Sequence, residues 1–113
     1  MSLDYSTQEL MIIASAREIK DNERIFVGMR LPITAYGVAR LTHAPNAVGL
    51  FESGIARYEP ADGMLYTMCD APNQLGAAWT CGLIQIMGML SGGRVHAGFI
   101  GGAEIDKFGN INT

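Results

Sequence analysis

Residues 24–51, "RIFVGMRLPITAYGVARLTHAPNAVGLF", decide the fold. The first six, Arg24 to Met29, have the β-branched and aromatic character of a short buried strand. Pro32 suits the first turn of a helix, where a missing N–H costs nothing. "ITAYGVARLTHA" continues that helix to about Ala44, and Pro45-Asn46 stops it. "AVGLF" then reads as a second strand. Strand, helix and strand within about thirty residues make a βαβ unit. Its natural outcome is a parallel sheet with a right-handed crossover.

On the N-terminal side, "STQELMIIASAREIK" opens with Ser6 and places Glu9 three residues later, the spacing of a capping box. Leu10, Ile13 and Arg17 follow at helical spacing, with Met11, Ala14 and Ala16 on the apolar side. On the C-terminal side, "IARYEPADGMLYTM" reads as irregular, with one short strand around Met64 to Met68. "NQLGAAWTCGLIQIMGML" reads as a third helix, ended by Gly92-Gly93. "RVHAGFI" is a third strand and "GGAEIDKFGNINT" is turn-rich. The expected architecture is a single α/β domain over residues 1–113, an open, mainly parallel sheet flanked by helices.

Composition narrows the function. Of the 113 residues, 49% are hydrophobic and only 17% are charged, which excludes a disordered chain and suits a surface that another chain covers. The formal net charge is −3 and the eight basic residues are scattered, so no basic face for nucleic acid is expected. The apolar stretch Leu83 to Leu90 is broken by Gln85 and Gly88, too short to cross a membrane. The N-terminus lacks the basic-then-apolar order of a signal peptide. Cys69 and Cys81 lack metal-ligand spacing, His43 and His96 stand apart from them, and buried free thiols are expected. The seven methionines are expected in the core or a subunit interface. No metal site is expected, and a cytoplasmic protein is.

In open parallel sheets, ligands gather beyond the carboxyl ends of the strands. Two features fall there. One is Glu52-Ser53-Gly54, directly after the second strand, and the other is "GFIGGAE", Gly98 to Glu104, leaving the third. If those strands are neighbours, a carboxylate faces a glycine-rich loop with approachable backbone N–H groups. Taken alone, Glu52 reads as a solvated strand-end acid, and Gly101-Gly102 as a tight turn supplying positive φ. A dinucleotide fingerprint and a phosphate-binding Walker loop are both absent. Ser53 lacks the surroundings of a nucleophile elbow. His43 and His96 read as structural.

"AVGLFESG" and "GGRVHAGFIGGAEIDKFGNINT", taken together and in this order, resemble the β (B) subunit of family I CoA-transferases of the glutaconate CoA-transferase type. The resemblance runs through nearly the whole chain after residue 4. It implies that Glu52, the acid of the E-S-G motif, is the covalent catalyst, with Ser53 and Gly54 forming the turn that supports it. It implies that Gly98, Gly101, Gly102 and Ala103 help form an oxyanion hole and bind substrate. Asp106, Gly109 and Asn110 to Thr113 match a further segment typical of the family. Family β subunits continue well past this segment, so a C-terminally truncated, N-terminal part of such a subunit is the expectation.

The resemblance also implies a ping-pong transfer of CoA between carboxylic acids through a glutamyl-CoA thioester on Glu52. Coenzyme A enters as a substrate, with no bound cofactor, and an α partner subunit completes the site. A carboxylate is ionised at neutral pH without a partner base, which suits this chemistry. The alternatives are a CoA-ester hydrolase or ring-opening hydrolase of the same family, or a structural subunit without turnover of its own.

Overall fold

A computed structural model describes residues 4–113. The first helix, α1 (Thr7–Glu18), begins where the sequence places it. Ser6 Oγ accepts the Glu9 N–H at 3.2 Å and the Glu9 carboxylate accepts the Ser6 N–H at 2.6 Å, which satisfies two orphan donors. β1 (Arg24–Val27), α2 (Leu31–Leu41) and β2 (Val48–Phe51) then form the expected βαβ unit, with β1 and β2 parallel. The chain continues through β3 (Ile55–Arg57), α3 (Ala71–Gln74), β4 (Trp79–Thr80), α4 (Leu83–Ser91) and β5 (Ala97–Phe99). A separate ribbon of β6 (Glu104–Ile105) and β7 (Ile111–Asn112) follows.

The main sheet runs β4-β3-β2-β1-β5. Its parallel centre, β2-β1-β5, is extended at one side by antiparallel β3 and β4, so the sheet is mixed. Strand side chains alternate between faces. Ile25, Val27 and Phe51 pack with Ala35, Tyr36 and Ala39 of α2. Phe26, Leu50 and Ala56 face the other way, onto Ile86 of α4. Helices therefore cover both faces, as the βαβ pattern requires.

Four expectations need correction. No strand forms at 64–68, because the Asp70 carboxylate takes the N–H groups of Tyr66 (2.7 Å) and Thr67 (3.0 Å) and closes a turn. The short strand is instead β3, directly after Gly54. The long third helix is split in three. Gly76, at φ +72, turns the chain out of α3, Ala78 N–H reaches Ala56 C=O at 2.8 Å to seat β4, and Gly82 restarts the helix as its N-cap. On α1, Ala16 faces the core with Ile12 against it, whereas Leu10 and Ile13 point outward with Tyr5. Finally, the free thiols are not buried: Cys69 is exposed and Cys81 half-buried. Of the methionines, Met68 is in the core while Met11, Met29 and Met64 are exposed.

The segment 58–76, irregular apart from α3, is held by two buried cations: Arg40 pairs with the Glu59 carboxylate at 2.8 Å, and Arg57 makes the larger set of contacts. The Arg57 guanidinium, on β3, donates to the carbonyls of Glu59 (2.9 Å), Asn73 (2.7 Å) and Leu75 (2.6 Å), with Pro60 and Pro72 beyond them. Carbonyl dipoles rather than a carboxylate offset its charge. Arg57→Met keeps the volume but strips these acceptors of their donor. The expected cost is about 3 kcal/mol, read as a lowered urea midpoint at unchanged m-value. A substitution that left the midpoint in place would overturn this role.

Candidate functional site

Because β1, β2 and β5 are parallel, their carboxyl ends share one edge. Val27 stands in register with Phe51 on one side and with Phe99 on the other. Gly28, Glu52 and Ile100 therefore leave the sheet at one level. The two strands that carry the candidate segments are not neighbours: β1 lies between them. At the usual spacing of 4.7–4.9 Å, Glu52 and the glycine-rich segment begin about 10 Å apart.

Glu52 is exposed, on a turn whose backbone is buried behind it. Gly54 N–H donates to Phe51 C=O at 2.9 Å, and Gly54 C=O accepts the Cys81 N–H at 2.6 Å. Gly54 has φ +99, and a Cβ there would stand 1.9 Å from the Cys81 carbonyl oxygen. Only glycine fits. Ser53 Oγ is buried without a hydrogen-bond partner among the described residues. Ser53 and Cys81 line a small cavity of about 240 Å³ beside the turn.

On the far side of β1, Gly98 lies in β5 opposite Phe26, where a Cβ would come within 3.2 Å of the Phe26 Cβ. Gly101 and Gly102 do not take positive φ, so they are not the tight turn that a lone glycine pair suggests. Their N–H groups donate to no group among the described residues, and both are exposed. A Cβ on Gly102 would meet Ile111 at 2.8 Å. The Ala103 N–H, by contrast, is committed to Asn112 C=O at 2.7 Å. The free donors of this segment are therefore Gly101 and Gly102.

Asp106 secures the ribbon behind them. Its carboxylate accepts from the Asn110 side chain (2.7 Å) and from the N–H groups of Asn110 (3.0 Å) and Phe108 (2.8 Å). The Asn110 side-chain bond, then the backbone bonds, hold the Asp106 carboxyl below its ordinary value. A depressed folded value stabilises the ribbon above the unfolded pKa of about 3.9, and that support is lost as the pH falls through the lower folded value. Amide signals of Phe108 and Asn110 followed by NMR are expected to broaden only below about pH 4. Loss already at pH 6 would contradict it.

Sequence reasoning passed over Arg30, in the loop leaving β1 between the two segments. Its backbone sits at φ 67, ψ −118, territory open to glycine but strained for other residues by about 1–3 kcal/mol. Its guanidinium meets no hydrogen-bond acceptor or carboxylate among the described residues. Arg30 lines a cleft of about 700 Å³ between α2 and residues 60–66, together with Leu31, Ile33, Val38 and Phe51, the residue preceding Glu52. Only Pro32 hinted at a tight turn here. Each histidine hydrogen-bonds the backbone: His43 Nε2 meets Ile19 C=O at 3.0 Å, and His96 Nδ1 accepts the Arg24 N–H at 3.0 Å. Among the described residues no cluster of three or more His, Cys, Asp or Glu could hold a metal ion, and no helix is long and apolar enough to cross a membrane.

A mixed sheet covered by helices on both faces has counterparts among known proteins. Residues 8–113 match the Coenzyme A transferase family, and the chain belongs to it. It is 39% identical to the β (B) subunit of 3-oxoadipate CoA-transferase from Pseudomonas knackmussii, over 96% of this chain and 42% of the relative. It is 28% identical to the β (B) subunit of glutaconate CoA-transferase from Acidaminococcus fermentans, over 97% of this chain and 43% of the relative. The crystal structure of glutaconate CoA-transferase from Acidaminococcus fermentans superposes with a TM-score of 0.83 at 25% identity, over 96% of this chain and 44% of that one. The decarboxylase AibA/AibB superposes with a TM-score of 0.72 at 29% identity, over 96% and 46%. The chain thus spans less than half the length of these relatives.

The geometry of the turn is directly testable. Gly54→Ala forces both an unfavourable φ and a clash with the Cys81 carbonyl. It is expected to destabilise the fold by about 1–3 kcal/mol, measured by thermal unfolding. Ser53→Ala, which removes only an unpartnered hydroxyl, is expected to leave the midpoint within a degree or so.

Proposed function

We propose that the chain supplies the nucleophile of a CoA-transferase that moves CoA between carboxylic acids, and that the nucleophile is Glu52. The observation that carries this reading is the placement of Glu52 on a braced turn at the carboxyl edge that also bears Gly98 to Ala103. Its carboxylate attacks the thioester carbonyl of an acyl-CoA, forming an acyl-glutamyl anhydride as the C–S bond breaks and CoA leaves as thiolate. The thiolate attacks the glutamyl carbonyl, giving the glutamyl-CoA thioester and releasing the first acid as carboxylate. A second carboxylate reverses the sequence, so atoms and charge balance over the cycle.

Each tetrahedral intermediate carries an oxyanion. The N–H groups of Gly101 and Gly102 are the donors assigned to it, each worth about 2.7–4 kcal/mol when aimed at the developing charge. Ala103, expected to share this task, supports the loop through its bond to Asn112 instead. Gly98 keeps the strand slim enough to lie against Phe26. Ser53 and Gly54 hold the nucleophile's turn. The apolar residues behind Glu52, Phe51 and Ile55, limit hydrolysis of the anhydride.

An α subunit is the partner in this reading. Both curated relatives are the β (B) components of two-subunit enzymes. The outward Leu10 and Ile13 of α1 with Tyr5 just before it, and the exposed Leu41 and Tyr66, offer apolar area for it to cover. Coenzyme A is a substrate, no bound cofactor takes part, and the free thiol of exposed Cys69 suits a cytoplasmic setting.

The test combines the protein with its α subunit and a panel of acyl-CoA thioesters, followed by borohydride, which reduces a glutamyl thioester to the alcohol. Inactivation with the matching mass change at Glu52 is expected. Glu52→Gln is expected to lower transfer by roughly 10³-fold or more. Hydrolysis with no trapped adduct would favour the hydrolase alternative, and no turnover with any thioester would leave a structural subunit. Full transfer by Glu52→Gln would sink the nucleophile assignment.

A further inference from the structure

Arg30 has a place and a charge that the catalytic cycle above leaves unused. The loop leaving β1 emerges between β2 and β5, so Gly28 stands between the acid and the glycine-rich segment, with Arg30 two residues on at the N-cap of α2. Arg30 is exposed, its guanidinium is unmatched among the described residues, and it shares its cleft with Phe51. Asn22, the other non-glycine residue at positive φ among the described residues, is of a type enriched at positive φ, whereas arginine is not. A side chain kept at such a backbone position is a candidate for function.

The reaction supplies a reason for a cation there. An acyl-CoA presents Glu52 with a neutral carbonyl. The free acid, whether leaving after the first half-reaction or arriving for the second, is an anion beside an acidic chain of net charge −3. Glu52 is by then the neutral glutamyl-CoA thioester, so the charge to be offset is the acid's own, and drawing a carboxylate out of water is costly unless a cation pairs with it. A guanidinium offers a planar fork matched to a carboxylate, and the cleft walls Leu31, Ile33 and Val38 suit an alkyl chain. We infer that Arg30 receives the free carboxylic acid, pairing with its carboxylate beside Glu52. This rests on the transferase reading.

The experiment uses the enzyme assembled from this chain and its α subunit. Acetyl-, butyryl- and glutaryl-CoA are compared for labelling of Glu52, and the fastest is the donor, with butyrate and glutarate as acceptors. For Arg30→Gln, the KM for the acid is expected to rise about tenfold or more, the worth of a charge-assisted hydrogen bond. The rate of Glu52 labelling by the acyl-CoA is expected to stay within about twofold, and Arg30→Lys to recover part of the acid KM. A rise for both acids assigns Arg30 to the reacting carboxylate, and a rise for glutarate alone to the distal one. Arg30→Gly is expected to show the same KM defect while raising the unfolding temperature, because it relieves the strained backbone. An unchanged acid KM in both variants would overturn the inference, as would an equal slowing of acyl-CoA labelling, which would assign Arg30 to the CoA phosphates. Failure of the wild-type enzyme to label Glu52 at all would instead remove the transferase reading beneath it.

Discussion

The seating of Tyr36 on Gly49 governs the central architecture. A Cβ at Gly49 would lie 2.8 Å from the Tyr36 ring, so only a bare Cα lets α2 come this close to β2. The same ring meets Phe51 edge-on, with centroids 6.3 Å apart, and its hydroxyl donates to Arg57 C=O at 2.8 Å. Burial pushes the phenol's pKa up, so it stays a neutral donor across the physiological range. One side chain thereby ties α2 to β2 and β3. It fixes where β2 ends, and so where Glu52 leaves the sheet.

Features set by neighbours in the chain were legible in the sequence. The Ser6–Glu9 cap, Pro32 at the start of α2 and the βαβ order all rest on contacts within a few residues or on a strong pattern. Features set by distant pairing were not. β3 is three residues long and wholly buried, so it shows no alternation to read. β4 has two residues, and it exists because β3 offers it a partner; its apolar surroundings otherwise read as continuous helix. Buried Arg57 looks like any loop cation until the carbonyls of residues 59–75 are seen around it.

The candidate site was legible in its parts rather than in its arrangement. Glu52 and the glycine-rich segment could be named because both follow strands. Their separation by β1 could not, since the order of strands in a sheet is not written in any local stretch. That separation puts the start of the β1 loop, Gly28, at the centre of the edge, and the loop leads on to Arg30 at the start of α2. The two sides also differ in support. The Glu52 turn is backed by buried Gly54, Ile55 and Ala56, whereas residues 100–113 are exposed throughout and rely on the Asp106 ribbon for their shape.

The strand order also bears on how the chain reaches this state. β1 and β2 are joined through one helix, and β3 follows β2 after a tight turn, so these three close short loops. β5 must find β1 across a much longer stretch, the Arg24–His96 bond spanning 72 positions. Closing a loop costs more entropy as it lengthens, and non-local pairings slow folding. The acid-bearing corner is thus built from the easier closures. The glycine-rich side joins through the most distant pairing of the sheet, and loosening β5 would dismantle that half while leaving the turn of Glu52 intact.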